Sequence, residues 1–273
     1  MIFKCKDKEL EYGEKIIMMG IVNITPDSFS DGGDYFNCDK AVEHALEHIE
    51  NGAKIVDLGA QSTRPGHKSV SADEEWERLE PVIKKLREKT DAIISVDTYY
   101  PEVARKAVLN GADIINDVSA AVSDEMCEVV KETGAAWIIM HNGGEDKDDI
   151  IEDVKTFFEK SLEKTRKFGI DDEKICFDMG IGFHKTREQD FQLIANVEKY
   201  KIKGFPLLFA TSRKRVIGEG SNQPDPKQRI YGNIAADTSA IMGGADMVRV
   251  HDTFFEKQGI LMAENIRKRK ING

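Results

Sequence analysis

The sequence predicts a closed (β/α)8 TIM barrel preceded by a β-hairpin, one domain over residues 1–273. Two observations carry this. Eight short, nearly continuous apolar runs rich in Ile and Val recur along the chain, the mark of parallel strands covered on both faces. A stretch with helical spacing follows each run, and that alternation closes into a barrel or winds into an open sheet. The open sheet is the weaker alternative. No G-x-G-x-x-G follows the first strand, no Walker A lysine is present, and the pair Gly218 and Gly220 lacks a third glycine.

The elements follow in order. A hairpin spans Phe3 to Tyr12. The apolar runs then occupy residues 15–23, 54–61, 92–98, 113–119, 135–141, 174–180, 206–212 and 246–252. Between the first two, Val42, Ala45, Leu46 and Ile49 repeat at the i, i+3, i+4, i+7 spacing of one buried helix face. Ser71 and Ser123, each followed by acidic residues, read as helix N-caps. Gly52, Gly111, Gly134 and Gly169 stand where left-handed C-caps end helices. Three connections exceed the usual βα length of about 2–6 residues: residues 23 to about 37, 61 to about 73, and 218 to about 227. All follow strands, so all belong on the C-terminal face, where barrels of this kind build active sites.

Composition limits the function classes. The 273 residues are 40% apolar and 32% charged, enough for a core without a disulfide or metal staple. Acidic residues number 49 against 39 basic, a net charge of −10, which argues against nucleic-acid and acidic-membrane partners. Cys5, Cys38, Cys127 and Cys176 are far apart and form no C-x-x-C pair, as expected of reduced thiols in a cytoplasmic protein. The first residues lack the apolar stretch of a signal peptide, and no apolar run approaches the ~18 residues of a membrane span.

Each apolar run ends in polar residues: Asn23; Asp57 with Gln61 and Thr63; Asp97; Asn116; His141; Asp178; Ser212 with Lys214; Arg249 with His251. For any single residue, Asp57 above all, capping a loop or filling a polar core layer is an equal reading. Polar groups at every rim make a shared mouth the better one. Asp97, Asn116 and Asp178 offer the acceptors and amide that bind a flat heterocycle rich in N–H groups edge-on. Arg249, His251, Lys214 and Arg64 suit an anion, a phosphate near the last two strands. Asn23 can give one oxygen to Mg2+, a hard cation that bridges phosphates with few protein ligands. Heterocycle slot and anion pocket together point to alkyl transfer with loss of a phosphate ester.

Other motifs are set aside. His44 and His48 fit an H-x-x-E-H zinc pattern, but they lie on the first helix without a third ligand and read as partly exposed surface residues. Lys214 as a Schiff-base amine is a separate hypothesis, tested by borohydride trapping; its neighbours Arg213 and Arg215 favour anion binding, although like charges would also lower its pKa. The basic run from Arg267 reads as a helix end complementing its dipole. Met18, Met19, Met140 and Met242 read as packing, with Met140 also walling the slot.

Residues 19–33, MGIVNITPDSFSDGG, resemble the first signature of the dihydropteroate synthase family, and residues 62–66, STRPG, its second. SVDT, IINDVS, MHNGG, GIGFHKT, TSRKR and RVHD follow in that family's order, so the resemblance covers nearly the whole chain after the hairpin. It implies an enzyme of folate synthesis joining 6-hydroxymethyl-7,8-dihydropterin diphosphate to 4-aminobenzoate, a homodimer, and a sulfonamide target. By analogy Asp97, Asn116, Asp178 and Lys214 hold the pterin. Asn23 binds Mg2+ and, with Arg64, Arg249 and His251, the diphosphate. Phe29, Thr63, Pro65, Phe183 and Ser212 surround the aminobenzoate. The expected mechanism is ionising, with diphosphate substrate bound first.

Four positions depart from the family pattern: Met179 for a proline, which would loosen the turn presenting Asp178, His184 for a small residue, Gln61 for an acid and Ala210 for a glycine. Competing functions are a methyltetrahydrofolate-dependent corrinoid methyltransferase, which needs neither the cationic cluster nor the S-T-R-P-G loop, and a specialised or inactive pterin-binding paralogue.

Overall fold

The computed structural model describes residues 1–24, 34–61 and 70–269, without side-chain detail for residues 34–37. Eight parallel strands close into a barrel: β3 (Ile17–Asn23), β4 (Ile55–Gly59), β5 (Ile93–Asp97), β6 (Ile114–Asp117), β7 (Ala136–Met140), β8 (Ile175–Asp178), β9 (Leu207–Phe209) and β10 (Met247–Val250), with β10 paired to β3. The hairpin, β1 (Ile2–Cys5) and β2 (Lys8–Glu11), forms a separate antiparallel sheet. The predicted strand order thus holds throughout.

Strand side chains alternate between faces, and here one parity points outward and the other into the barrel. The outward set, including Val56, Leu58, Ile94, Val96, Trp137, Phe177 and Val248, packs under the helices in one large core. The inward set forms a second core at the N-terminal end from Ile17, Met19, Ile55, Ile93, Ile114, Ile138, Cys176, Leu208 and Met247. Phe3 and Cys5 of β1 are fully buried in that second core, so the hairpin plugs the barrel's floor. Tyr12 donates its hydroxyl to the Gly204 carbonyl at 2.7 Å, and Lys8 reaches Asp113 at 3.1 Å, fastening the plug.

Helices α1 (Asp34–Glu50), α2 (Ala72–Arg87), α3 (Pro101–Leu109), α4 (Asp124–Thr133), α5 (Ile150–Lys167), α6 (Arg187–Ala195), α7 (Val197–Tyr200), α8 (Arg215–Gly220), α9 (Ile230–Gly243) and α10 (Thr253–Arg267) surround the barrel. Ser71 and Ser123 cap α2 and α4 as expected, each side chain accepting a backbone N–H of the first turn. Gly134 ends α4 at φ 72°. The third predicted long loop is corrected: α8 and a 3-10 turn at Pro226–Gln228 occupy much of it. The four cysteines are buried free thiols. Among the described residues, no helix is long and apolar enough to cross a membrane.

Two peripheral expectations are also corrected. His48 is 2% exposed, its ring packed between the Ile21 carbonyl (3.0 Å) and the Thr253 hydroxyl (2.9 Å). Gly20 has no side chain where a Cβ would meet this ring at 2.5 Å, so β3 and α1 approach closely. Arg267 does more than complement a dipole: it donates to the carbonyls of Gly13 (2.6 Å) and Ala245 (3.1 Å), tying α10 to the segment before β3.

Candidate active site

The inward parity that is apolar at the floor becomes polar at the mouth. Asn23, Asp57, Asp97, Asn116, Met140, Asp178, Ser212, Arg249 and His251 all carry it, each two or four residues beyond an inward apolar residue of the same run. The register places Asn23 level with Gly59, Gly59 with Asp97, and Asp97 with Asn116. Gly59 leaves a gap in this row; a Cβ there would stand 3.8 Å from Asp97 Oδ2 and 3.9 Å from Asn23 Oδ1.

One chain of contacts crosses the mouth. Arg249 donates from Nε to Asp57 Oδ2 (2.6 Å) and from Nη2 to Asp97 Oδ2 (2.9 Å), while Asn116 Nδ2 donates to the same Asp57 oxygen at 3.1 Å. The sequence separated an acceptor group from a cationic group; the fold interleaves them. Asp57 is fully buried and links Asn116 to Arg249, so the polar-layer reading was right for it. Burial pushes the Asp97 carboxyl up; Arg249 opposes the rise and the Asp57 charge adds to it. Arg249 rises despite its burial because Asp57 and Asp97 favour its charge.

Across the mouth, Lys214 donates to the Ile181 carbonyl at 2.7 Å and lies 4.7 Å from the Phe183 ring centre, a cation–π contact. Its ammonium is lowered to about 8, chiefly by burial, with Asp178 opposing. Arg213 is not the cause: it is turned away into a bidentate pair with Asp252 (2.6 and 3.1 Å). Burial raises Asp178, Lys214 being the strongest opposing influence. Asp178 Oδ1 accepts the Gly180 N–H at 2.7 Å, and Gly180 adopts φ +66° where a Cβ would strike the His141 carbonyl at 1.8 Å. That turn is therefore fixed without a proline, and Met179 is buried in the outer core, correcting the expectation that it loosens the site. His184 takes a left-handed φ of 46° and contacts Asn142 Oδ1 at 2.7 Å. Gln61 accepts from Val70 N (3.1 Å) and donates to the Tyr99 hydroxyl (2.7 Å).

His251 and Ser212 meet at 2.9 Å. Asn23, Asp97, Phe183, Ser212, Lys214, Arg249 and His251 line one cleft of about 1290 Å3. Asn116, Met140 and Asp178 are buried, at 3, 1 and 4% exposure, and are not among the residues that line it. Phe29, Thr63, Arg64 and Pro65 lie outside the described residues. Sequence reasoning missed Lys185, which lines the cleft and donates to the Gly180 (2.9 Å), Phe183 (3.2 Å) and His141 (3.3 Å) carbonyls, bracing the loop that carries Phe183. It also missed the buried Asn233 behind Ser212. Lys185 stands in a block quoted for its resemblance, but nothing in its spacing gives a role; Asn233 looks like any polar helix residue.

The pterin binding enzyme family matches residues 19–251. The dihydropteroate synthase of a Synechocystis species is 44% identical over 251 residues, covering 89% of this chain and 87% of that protein. Among solved structures, a Clostridium difficile dihydropteroate synthase with pteroic acid is 43% identical with a TM-score of 0.90, over 94% of this chain and 98% of the other. The Xanthomonas albilineans dihydropteroate synthase with 4-aminobenzoic acid is 36% identical with a TM-score of 0.92, over 98% and 99%.

Proposed function

The chain belongs to the dihydropteroate synthase family of pterin-binding enzymes, and from that membership we propose that it condenses 6-hydroxymethyl-7,8-dihydropterin diphosphate with 4-aminobenzoate, releasing dihydropteroate and diphosphate. One observation carries the reading furthest: carboxylates and cations from both sides of the barrel converge on a single cleft large enough for both substrates. The relatives solved with pteroic acid and with 4-aminobenzoic acid support the choice of ligands.

In this proposal Asp97, Asn116 and Asp178, with Lys214, hold the pterin edge. Arg249, His251 and Arg64 take the diphosphate. Phe183 and Ser212, with Phe29, Thr63 and Pro65, form the aminobenzoate side, where sulfonamides would compete. Reaction begins as the exocyclic C–O bond breaks and its electron pair leaves with diphosphate. In this reading Lys214 and Arg249 face the growing charge, and donors held in place beforehand need little reorganisation. Carboxylates beside the reduced ring stabilise the cationic carbon. The amine lone pair forms the C–N bond and the nitrogen then loses a proton to water. Diphosphate substrate binds first.

Among the described residues no cluster of three or more His, Cys, Asp or Glu could hold a metal. Asn23 at the rim, beside the gap at Gly59, offers one amide oxygen, a donor set that suits Mg2+ held mainly by substrate phosphates. Bound there, Mg2+ would neutralise charge on the leaving group.

We also propose a homodimer in the cytoplasm, joined through α10, where Leu261, Met262 and Ile266 are exposed at 49, 62 and 43%; Met262→Glu should shift it to monomer in size-exclusion chromatography. The function itself is tested by diphosphate release that depends on added 4-aminobenzoate. No release with both substrates and Mg2+ refutes the reading and leaves a non-catalytic pterin binder; equal release without 4-aminobenzoate refutes the condensation and leaves hydrolysis of the diphosphate.

A further inference from the structure

We propose that Lys185 is a positioning residue for the aryl amine: its ammonium holds the turn that carries Phe183 into the cleft, and it is not a seat for the leaving anion. The inference rests on the function above, since it assigns how one wall of the aminobenzoate side is built.

Lys185 and Lys214 line the same cleft, where a cationic side chain reads first as an anion binder. Their hydrogen bonds separate them. An ammonium has three donors and no acceptor. Lys185 Nζ meets three backbone carbonyls, those of Gly180 (2.9 Å), Phe183 (3.2 Å) and His141 (3.3 Å), so each donor has an acceptor inside the protein. Lys214 Nζ donates to one carbonyl, that of Ile181 (2.7 Å), and lies over the Phe183 ring. Burial lowers the Lys185 ammonium to about 8, with Asp178 and Asp190 opposing, so the charged form prevails at pH 7.

The turn needs that cation. Gly180, Gly182 and His184 adopt left-handed backbone, at φ +66°, +79° and +46°, alternating with Ile181 and Phe183. Such a conformation is costly for His184 unless its surroundings hold it. The path brings the carbonyls of Gly180 and Phe183 to one point, where they meet that of His141. Three carbonyl dipoles converging with no positive charge between them would repel. The amides of the turn are held too. Gly180 N–H donates to Asp178 Oδ1 and Gly182 N–H to Asp190 Oδ1, both at 2.7 Å, and Phe183 N–H donates to the Gly180 carbonyl at 3.1 Å. Ile181 is buried in the outer core, which leaves Phe183 as the side chain that this turn presents to the cleft.

Lys185→Met keeps the length of the side chain and removes the charge and donors. It should raise KM for 4-aminobenzoate about 10-fold, the size of one displaced aromatic contact, with kcat and KM for the diphosphate substrate within about twofold of wild type. Phe183→Leu should raise the same KM about 10-fold, and the double variant no further, because the lysine acts through the ring. Lys185→Arg keeps the charge, but a planar guanidinium cannot reproduce an ammonium tripod; its KM for 4-aminobenzoate should rise about threefold. In protein labelled with 4-fluorophenylalanine, the Phe183 resonance, assigned with Phe183→Leu, should shift in Lys185→Met while that of Phe3 stays. The proposal is overturned if KM for the diphosphate substrate rises as much as that for 4-aminobenzoate, if the double variant multiplies the two effects to about 100-fold, if Lys185→Arg behaves as wild type, or if the Phe183 resonance does not move. Absence of turnover in wild type would defeat the proposed reaction instead, with the fluorine spectrum still deciding whether Lys185 holds the ring.

Discussion

The two ends of this barrel are built from the same strands and the same inward parity, yet they do opposite things. At the floor, Ile, Met, Leu and Cys side chains meet the hairpin's Phe3 and Cys5 in a dry core. At the mouth, a few residues further along the same strands, Asp57, Asp97, Asn116 and Arg249 crowd within hydrogen-bond distance around open space. The floor contributes stability through buried apolar area. The mouth holds charges at raised or lowered pKa, an arrangement that costs stability and that the floor and outer core must offset.

That contrast predicts separable mutant behaviour. Phe3→Ala should cost about 3–5 kcal/mol in chemical denaturation, because it removes a fully buried ring and loosens the plug; specific activity of the still-folded protein should be nearly unchanged, and a comparable loss of activity would erase the division between the ends. Lys214→Ala should do the reverse. Diphosphate release falls about 100- to 1000-fold, while the denaturation midpoint holds or rises, since a buried ammonium is removed; a large loss of stability would make Lys214 structural.

A third test lies between the ends. Asp237 of α9 and Glu256 of α10 are both buried, and three of their four carboxyl oxygens have no partner donor. Burial raises both, with the charges of Asp237 and Asp252 adding to the rise of Glu256, while hydrogen bonds from Thr211 and Glu256 oppose the rise of Asp237; Arg213 is spent on Asp252. The folded pair therefore keeps a proton that the unfolded chain would release above about pH 4. Because the folded pKa values are raised, this contribution is fully present below the unfolded values and is lost as pH rises through the folded ones. Glu256→Gln should flatten the alkaline fall of the denaturation midpoint; a fall as steep as that of wild type would count against the shared proton.

The smallest effect is expected at the rim. Gly59→Ala adds a Cβ at ordinary contact distance from Asp97 and Asn23, so the fold should tolerate it. It should raise KM for the diphosphate substrate a few-fold, roughly 1 kcal/mol or less; an unchanged KM would place the substrate elsewhere.

Much of this was legible in the chain. Strand order, caps and rim residues follow from local periodicity and hydrogen-bonding chemistry, which act over a few residues. Asp97, Asn116, Asp178, Ser212, Lys214, Arg249 and His251 stand out because a polar residue interrupts each apolar run. Asn233 and Lys185 carry no such mark. Their roles arise from contacts 21 residues away for Asn233 and 44 for the longest made by Lys185. His48 read as a surface residue because helical spacing shows which face it shares, not what covers that face.

The sequence by itself determined the number and order of strands, which end of each is polar, and the family. Only the tertiary structure decided that Arg249 bridges two carboxylates, that burial, with Arg249 adding, lowers Lys214 rather than the adjacent Arg213, and that Ser212 is surrounded by donors. Periodicity encodes which side a residue faces. Desolvation, proton placement and ion pairing depend on distances between segments that meet only when the barrel closes.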